Sequence, residues 1–172
     1  MTNSSLSLQD LCNPNGMCFG CGPANPSGLQ IKSEWSAEGD AVLCRFAPDD
    51  RYIGWPGLVY GGLIAMLIDC HSNRTVIAYH YNQDGRTPGE GEPIECVTGQ
   101  LGISYQKPTP MGVELTLKAW VEGEVGRKSR VICEVWAGDV LTCRGDSVFV
   151  RVEAEQLKAQ AQKMIADLGV AG

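Results

Sequence analysis

Six consecutive apolar residues, Leu63 to Ile68, stand between a glycine pair, Gly61-Gly62, and an acid, Asp69. An ordinary surface helix carries one apolar stripe. A run that is apolar at every position and continues through polar but helix-compatible residues to about Ala78 predicts a helix buried on nearly all sides. Such a helix needs a broad apolar surface wrapped around it, and the remaining sequence is rich in strand patterns.

Leu29, Ile31 and Trp35 alternate with Gln30, Lys32 and Glu34, and Val42, Cys44 and Phe46 follow the turn Glu38-Gly39-Asp40, which predicts a β-hairpin. Beyond an exposed Gly/Pro loop at 81–93, Val97, Leu101, Ile103 and Tyr105 share one parity. Val113, Leu115, Leu117, Ala119 and Val121 form a second alternating set. Val131, Cys133 and Val135 mark a further strand, and Val148, Val150 and Val152 the last, with turn signals between them. The expected sheet is a long antiparallel meander. Leu157, Ala161, Met164 and Leu168, spaced 4, 3 and 4, predict a final helix with one apolar stripe. The expected class is α+β, a curved antiparallel sheet of about six strands around one long buried helix.

The chain has 172 residues, enough for one domain but not for a second catalytic domain of ordinary size. We divide it into an irregular arm rich in Asn, Ser, Pro and Gly (1–28), a central domain (29–152) and a C-terminal helix and tail (153–172). The formal charge of −6 disfavours general nucleic-acid binding, so an anionic ligand would need a local basic cluster. Residues 1–11 carry neither Lys, Arg nor an apolar block, which argues against a secretory signal and for a cytoplasmic protein. The six-residue apolar run is far shorter than a membrane span.

The helix start is where chemistry is expected. Gly61 and Gly62 leave first-turn amides unshielded, and the helix dipole adds positive potential there, so a carbonyl oxygen gathering negative charge could rest on them. Asp69 lies seven residues after Gly62, nearly two turns, hence on the same face. A donor and a carboxylate on one face suit acyl transfer to water. The donor polarises the carbonyl, and the acid acts as general base or nucleophile. The other reading of Asp69 is a cap or hydrogen bond inside a subunit contact. Asn73, four residues on, could orient the carboxylate or a water. His71 is about 200° around the helix from Asp69 and is expected to be packed rather than catalytic.

The stretch Pro56-Gly57-Leu58-Val59-Tyr60-Gly61-Gly62, continuing to Leu67-Ile68-Asp69, resembles the His-Gly-Gly-to-Asp helix signature of hotdog-fold acyl-CoA thioesterases. The run Gly99 to Pro108, then Thr109-Pro110-Met111-Gly112, is similar to their strand-turn signature. The nearest resemblance is to the phenylacetate-degradation type within the 4-hydroxybenzoyl-CoA thioesterase superfamily, over about residues 29 to 152. It implies a hotdog fold and a homodimer or homotetramer with sheets joined edge to edge. It further implies active sites at the interface, Asp69 as the catalytic carboxylate and the Gly62 amide as carbonyl polariser, with no cofactor. One departure stands out: the family histidine is Tyr60 here, a phenol that can donate a hydrogen bond or line the acyl pocket but is a poor proton shuttle. A non-catalytic acyl-CoA-binding or sensing protein is therefore the alternative.

Arg127-Lys128-Ser129-Arg130, on the turn into the fifth strand, supplies the basic cluster, at a place where relatives contact CoA phosphates. Basic residues at a strand edge also deter edge pairing. Lys107 is a second, weaker basic candidate. Of eight cysteines, Cys44, Cys70, Cys96, Cys133 and Cys143 lie in apolar segments and are expected to be buried thiols. Cys18 and Cys21 form a CxxC, with Cys12 upstream and His71 conceivable as a fourth ligand. A single CxxC without a second pair at ligand spacing predicts no metal.

Overall fold

The computed structural model describes residues 6–169. Residues 1–5 of the expected arm and 170–172 of the expected tail lie outside them. In chain order the elements are α1 (Leu8–Cys12), β1 (Ser33–Trp35), β2 (Val42–Phe46), a 3-10 turn (Asp50–Tyr52), α2 (Gly61–Gln83), β3 (Glu95–Tyr105), β4 (Leu115–Glu122), β5 (Lys128–Ala137), β6 (Val140–Val152) and α3 (Ala154–Asp167).

The apolar block does what an all-round apolar run must. Leu63, Ile64, Leu67, Ile68, Val76, Ile77 and Tyr81 are buried, and α2 packs on β3, β4, β5 and β6. The helix comes close at Gly145 on β6, where a Cβ would collide with Ile68 of α2. The alternating set of β4 turns Leu115, Leu117 and Ala119 into the same core. The helix outruns the expected end near Ala78 and reaches Gln83, so the loop begins at Asp84 rather than Tyr81.

All strand pairs are antiparallel, but the order is β1-β2-β4-β5-β6-β3, which corrects the expected simple meander. Sequence neighbours lie side by side in β1-β2 and in β4-β5-β6, but β3 does not lie between β2 and β4. At 1.5 Å per residue, α2 is about 35 Å long. It carries the chain across the concave face, so β3 docks on the far edge against β6, and β4 returns to lie beside β2. β3 therefore bonds to β6 alone and leaves an eleven-residue outer edge without a partner among the described residues.

The expected hairpin is shorter than the alternation suggests, since Leu29 and Ile31 precede the strand. The N-terminal segment is also anchored. Gln9 of α1 donates from Nε2 to Ser33 Oγ (2.8 Å) and accepts the Ser33 N–H (2.8 Å). Ser33 Oγ lies 2.9 Å from His71 Nδ1, and His71 Nε2 is 3.1 Å from the Val42 carbonyl. A carbonyl can only accept, so Nε2 carries the imidazole proton and Nδ1 accepts from Ser33. α3 forms where expected, but its apolar stripe, including Leu157, Met164 and Leu168, stays exposed.

Candidate functional site

The turn before α2 is pinned by Tyr60 N–H donating to Tyr52 O (2.7 Å), and Tyr60 O accepts from Leu63 and Ile64 N–H (3.0 and 3.3 Å). The amides of Gly61 and Gly62 have no acceptor among the described residues. At the positive end of a 23-residue helix, they form a ready anion or oxyanion donor. The structure adds a neighbour to each glycine. Tyr60, 58% exposed, lays its ring edge over Gly62, where a Cβ would sit 2.5–2.7 Å from Cε1, Cζ and the phenol oxygen. Tyr105 of β3 donates its hydroxyl to Gly61 O (2.7 Å). Gly61, Ile64, Tyr105, Lys107 and Thr109 line a crevice of about 290 Å³ at this helix start.

Asp69 is partly buried, and its Oδ1 accepts from Thr98 Oγ1 of β3 at 2.7 Å. Asn73 does not touch it, because its Nδ2 donates to Cys96 O (2.8 Å). Contacts Tyr105–Gly61, Thr98–Asp69 and Cys96–Asn73 thus run in order, with α2 antiparallel to β3 along the open edge of the sheet. Seven residues of helix separate Gly62 from Asp69 by about 10 Å. A carbonyl held by Gly62 and a water held by Asp69 of the same helix would have to stretch nearly end to end across that gap. The crevice at the helix start does not extend to Asp69.

His71 is fully buried in the network described above, and burial pulls its pKa down to about 4 against a smaller opposing effect of the Val42 carbonyl. It faces away from Asp69, as its helical position requires.

The basic cluster lies elsewhere. Arg127 and Lys128 are exposed, whereas Ser129 is buried and its hydroxyl both donates to Gly126 O and accepts from Gly126 N–H (3.1 Å each). Arg130 is held by Asp146 through two hydrogen bonds of 2.7 and 2.5 Å. Arg127 joins His80, Arg151, Gln156 and Gln160 around a second crevice of about 450 Å³. That crevice sits by the C-terminal end of α2, about 30 Å along the helix from Gly62.

Among the cysteines, Cys44, Cys96, Cys133 and Cys143 are buried thiols, and no cysteine is disulfide-bonded among the described residues. Cys70 is buried too, but it turns toward the CxxC. The sulfurs of Cys18, Cys21 and Cys70 lie within 4.8 Å of one another. Cys12 and His71 are not part of this group.

Sequence reasoning missed Thr98, Tyr105 and the partnership of Cys70. The first two lie on a strand whose alternation was legible, but their facing residues depend on how α2 crosses the sheet.

A curved antiparallel sheet closed about one long helix, with open amides and an acid along a single sheet edge, defines a hotdog-fold protein. No protein-family model matches the chain. A thioesterase superfamily protein of Shewanella loihica PV-4 is 36% identical, covering 72% of this chain and 91% of that one, with a TM-score of 0.57. The chain belongs to the hotdog-fold thioesterase superfamily. The acyl-coenzyme A thioesterase THEM4 of Xenopus laevis is 27% identical over 116 residues, which are 64% of this chain and 45% of that protein. The chain thus spans less than half the length of this curated relative. A Bacillus halodurans protein solved with CoA has the same fold at 23% identity, covering 76% of this chain and 80% of that one, with a TM-score of 0.57.

Proposed function

We propose that the protein is an acyl-CoA thioesterase, hydrolysing an acyl-CoA thioester to free acid and CoA. The observation that carries this reading is the pair of acceptor-free amides at Gly61 and Gly62 on the same sheet edge as the Thr98-bonded Asp69. Superfamily membership, the curated acyl-coenzyme A thioesterase relative and a CoA-bound neighbour of the same fold support it. The Gly62 amide receives the carbonyl oxygen, with Gly61 beside it and Tyr60 bounding the acyl pocket. Asp69, oriented by Thr98, takes a proton from water as the water attacks the carbonyl carbon. Collapse of the tetrahedral intermediate breaks the C–S bond and releases the CoA thiol. Direct attack by Asp69 would break the C–S bond, expel CoA as its thiolate and give a mixed anhydride that water then cleaves to free acid and the regenerated Asp69.

The 10 Å between Gly62 and Asp69 along one helix favours a site shared between two copies. Antiparallel pairing of two β3 edges reverses one α2 relative to the other. The helix start of one copy then lies beside the Asp69 segment of its mate, and the Arg127 crevice of one approaches the helix start of the other. The active unit is thus a homodimer with sites at its interface, alone or within a tetramer. Arg127 and Lys128 bind CoA phosphates, with Ser129 shaping their turn, and Asn73 holds α2 to β3 behind the carboxylate. The hotdog unit is residues 29–152, with 1–28 as its arm and 153–172 as its tail. Unpaired thiols fit a reducing, cytoplasmic setting. No metal or cofactor takes part in the hydrolysis.

The test is release of free thiol from a panel of short, long and aromatic acyl-CoAs by the purified chain and by its Asp69→Ala variant. Turnover by the parent and none by the folded variant is expected, and equal rates would remove Asp69 from the reaction. Tyr60 in the histidine position favours a second reading, acyl-CoA binding without hydrolysis. Calorimetric binding of intact acyl-CoA with no turnover across the panel would establish that reading instead.

A further inference from the structure

The N-terminal CxxC meets a third cysteine that no spacing rule connects to it. Cys18 Sγ is 3.7 Å from Cys70 Sγ, and the sulfurs of Cys18, Cys21 and Cys70 lie within 4.8 Å of one another. A disulfide requires two sulfurs at about 2.05 Å and leaves a third thiol over. Zinc bonds to thiolate at about 2.3 Å, so neighbouring sulfurs of a tetrahedral site stand about 3.8 Å apart. The observed separation is that of co-ligands rather than of a bonded pair.

The backbone is shaped for this meeting. Gly22 N–H donates to Cys18 O (2.8 Å), closing a tight turn around Phe19, Gly20 and Cys21. A Cβ on Gly22 would run into Cys18 and Gly16 backbone, and one on Gly20 would collide with the Cys70 sulfur. Glycine at 20 is what lets the helix thiol enter the turn. The carbonyls of Phe19 and Gly20 accept the N–H groups of Leu29 and Ile31 (2.8 and 3.1 Å), which fastens the turn to the chain entering β1.

A second observation concerns charge. Arg74, one helical turn after Cys70 and on its side, is 7% exposed, and its Nε has no hydrogen-bond partner. No carboxylate pairs with it among the described residues. A buried guanidinium needs a counter-charge. Three thiolates around a divalent ion leave a net charge of −1, which would supply it.

We propose that Cys18, Cys21 and Cys70 form a binding site for one zinc ion, clipping the N-terminal segment onto α2 next to Asp69. Binding displaces the thiol protons and changes no oxidation state. Cys18, the exposed member, marks the solvent side, where the fourth position is open to water or an added thiol. The site's role is to hold the arm in place, and it does not depend on the thioesterase reading.

The test is metal content of the full chain purified under reducing conditions, followed by Co2+ titration of the same protein. One zinc per chain is expected. Co2+ should saturate at one equivalent, with sulfur-to-cobalt charge-transfer absorption and the strong visible bands of a tetrahedral thiolate site. Cys21→Ser and Cys70→Ser should lose these bands, whereas Cys143→Ser, a buried cysteine outside the group, should keep them. If the buried-site variants fail to fold, Cys18→Ser at the exposed position carries the same expectation, with folding checked by circular dichroism. Fully reduced, folded protein that binds neither ion would overturn the proposal. So would an intact mass short by two hydrogens, with Cys18 and Cys70 recovered as one crosslinked peptide.

Discussion

Thr98 Oγ1 donates to Asp69 Oδ1 at 2.7 Å, so the edge strand β3 fixes the orientation of the acid on α2. A carboxylate that already accepts one bond keeps its remaining lone pairs for a water, and it cannot rotate freely away from the helix start. Removing the acid and removing its positioning partner should therefore differ. Asp69→Asn should cost about 10²–10⁴ in kcat. Thr98→Val, which leaves the acid in place, should cost about tenfold in kcat with KM little changed, which corresponds to about 1.4 kcal/mol. Steady-state kinetics on one acyl-CoA, with circular dichroism as a folding check, measures both.

Tyr60 lies over Gly62. Gly62→Ala places a Cβ within 2.7 Å of the phenol ring, but that ring is 58% exposed and can swing aside, so the change should cost less than about 1 kcal/mol. In a Tyr60→Ala background the same change should cost much less. Thermal unfolding of the four proteins of this cycle gives the coupling directly. Equal costs in both backgrounds would mean that the ring does not occupy that space in solution.

Tyr105→Phe deletes the hydrogen bond to the Gly61 carbonyl and little else. The expected loss is about 0.5–1.5 kcal/mol of stability. Because the bond holds the first turn of α2 against β3, faster amide exchange at Leu63 and Ile64, whose N–H groups donate to Tyr60 O, should accompany it, and hydrogen-exchange mass spectrometry reads this segment.

Arg127 is exposed, lines the crevice at the far end of α2 and forms no ion pair among the described residues. Arg127→Glu should raise KM for acyl-CoA by about tenfold or more and leave kcat nearly unchanged, since phosphate contacts act on ground and transition states alike. The penalty should shrink with added salt. A truncated thioester substrate without the nucleotide should show no difference between the two proteins.

His71 gives the fold a pH dependence. Its pKa falls from about 6.5 in an unfolded chain to about 4 in the buried site. Between those values the unfolded chain binds a proton that the folded chain refuses, so stability rises with pH. The contribution is complete above about pH 6.5 and is lost as pH falls toward about 4, by on the order of 3 kcal/mol in total. Denaturant unfolding across that range, with the imidazole followed by NMR, tests the slope and assigns it.

Much of the architecture was legible locally. Leu63 to Ile68 announced a helix without a solvent face, and the alternation of Leu115, Leu117 and Ala119 announced a strand over a core. Both signals come from chain geometry alone, 3.6 residues per turn and a two-residue pleat. The glycine pair and Asp69 could likewise be placed on one helix face by counting.

Counting could not say what lies across from a face. The sheet order departs from a meander because α2 carries the chain past the three positions that β4, β5 and β6 fill, and a crossover of that length leaves no local trace. Thr98 and Tyr105 gain their partners only through that crossover. It lays β3 along α2 in reverse, so Tyr105 meets Gly61 and Thr98 meets Asp69, while the arm folds back to bring Cys18 and Cys21 to Cys70. Periodicity encodes which side of an element is apolar, but pairing between distant elements is settled by the packing of the whole chain around one buried helix.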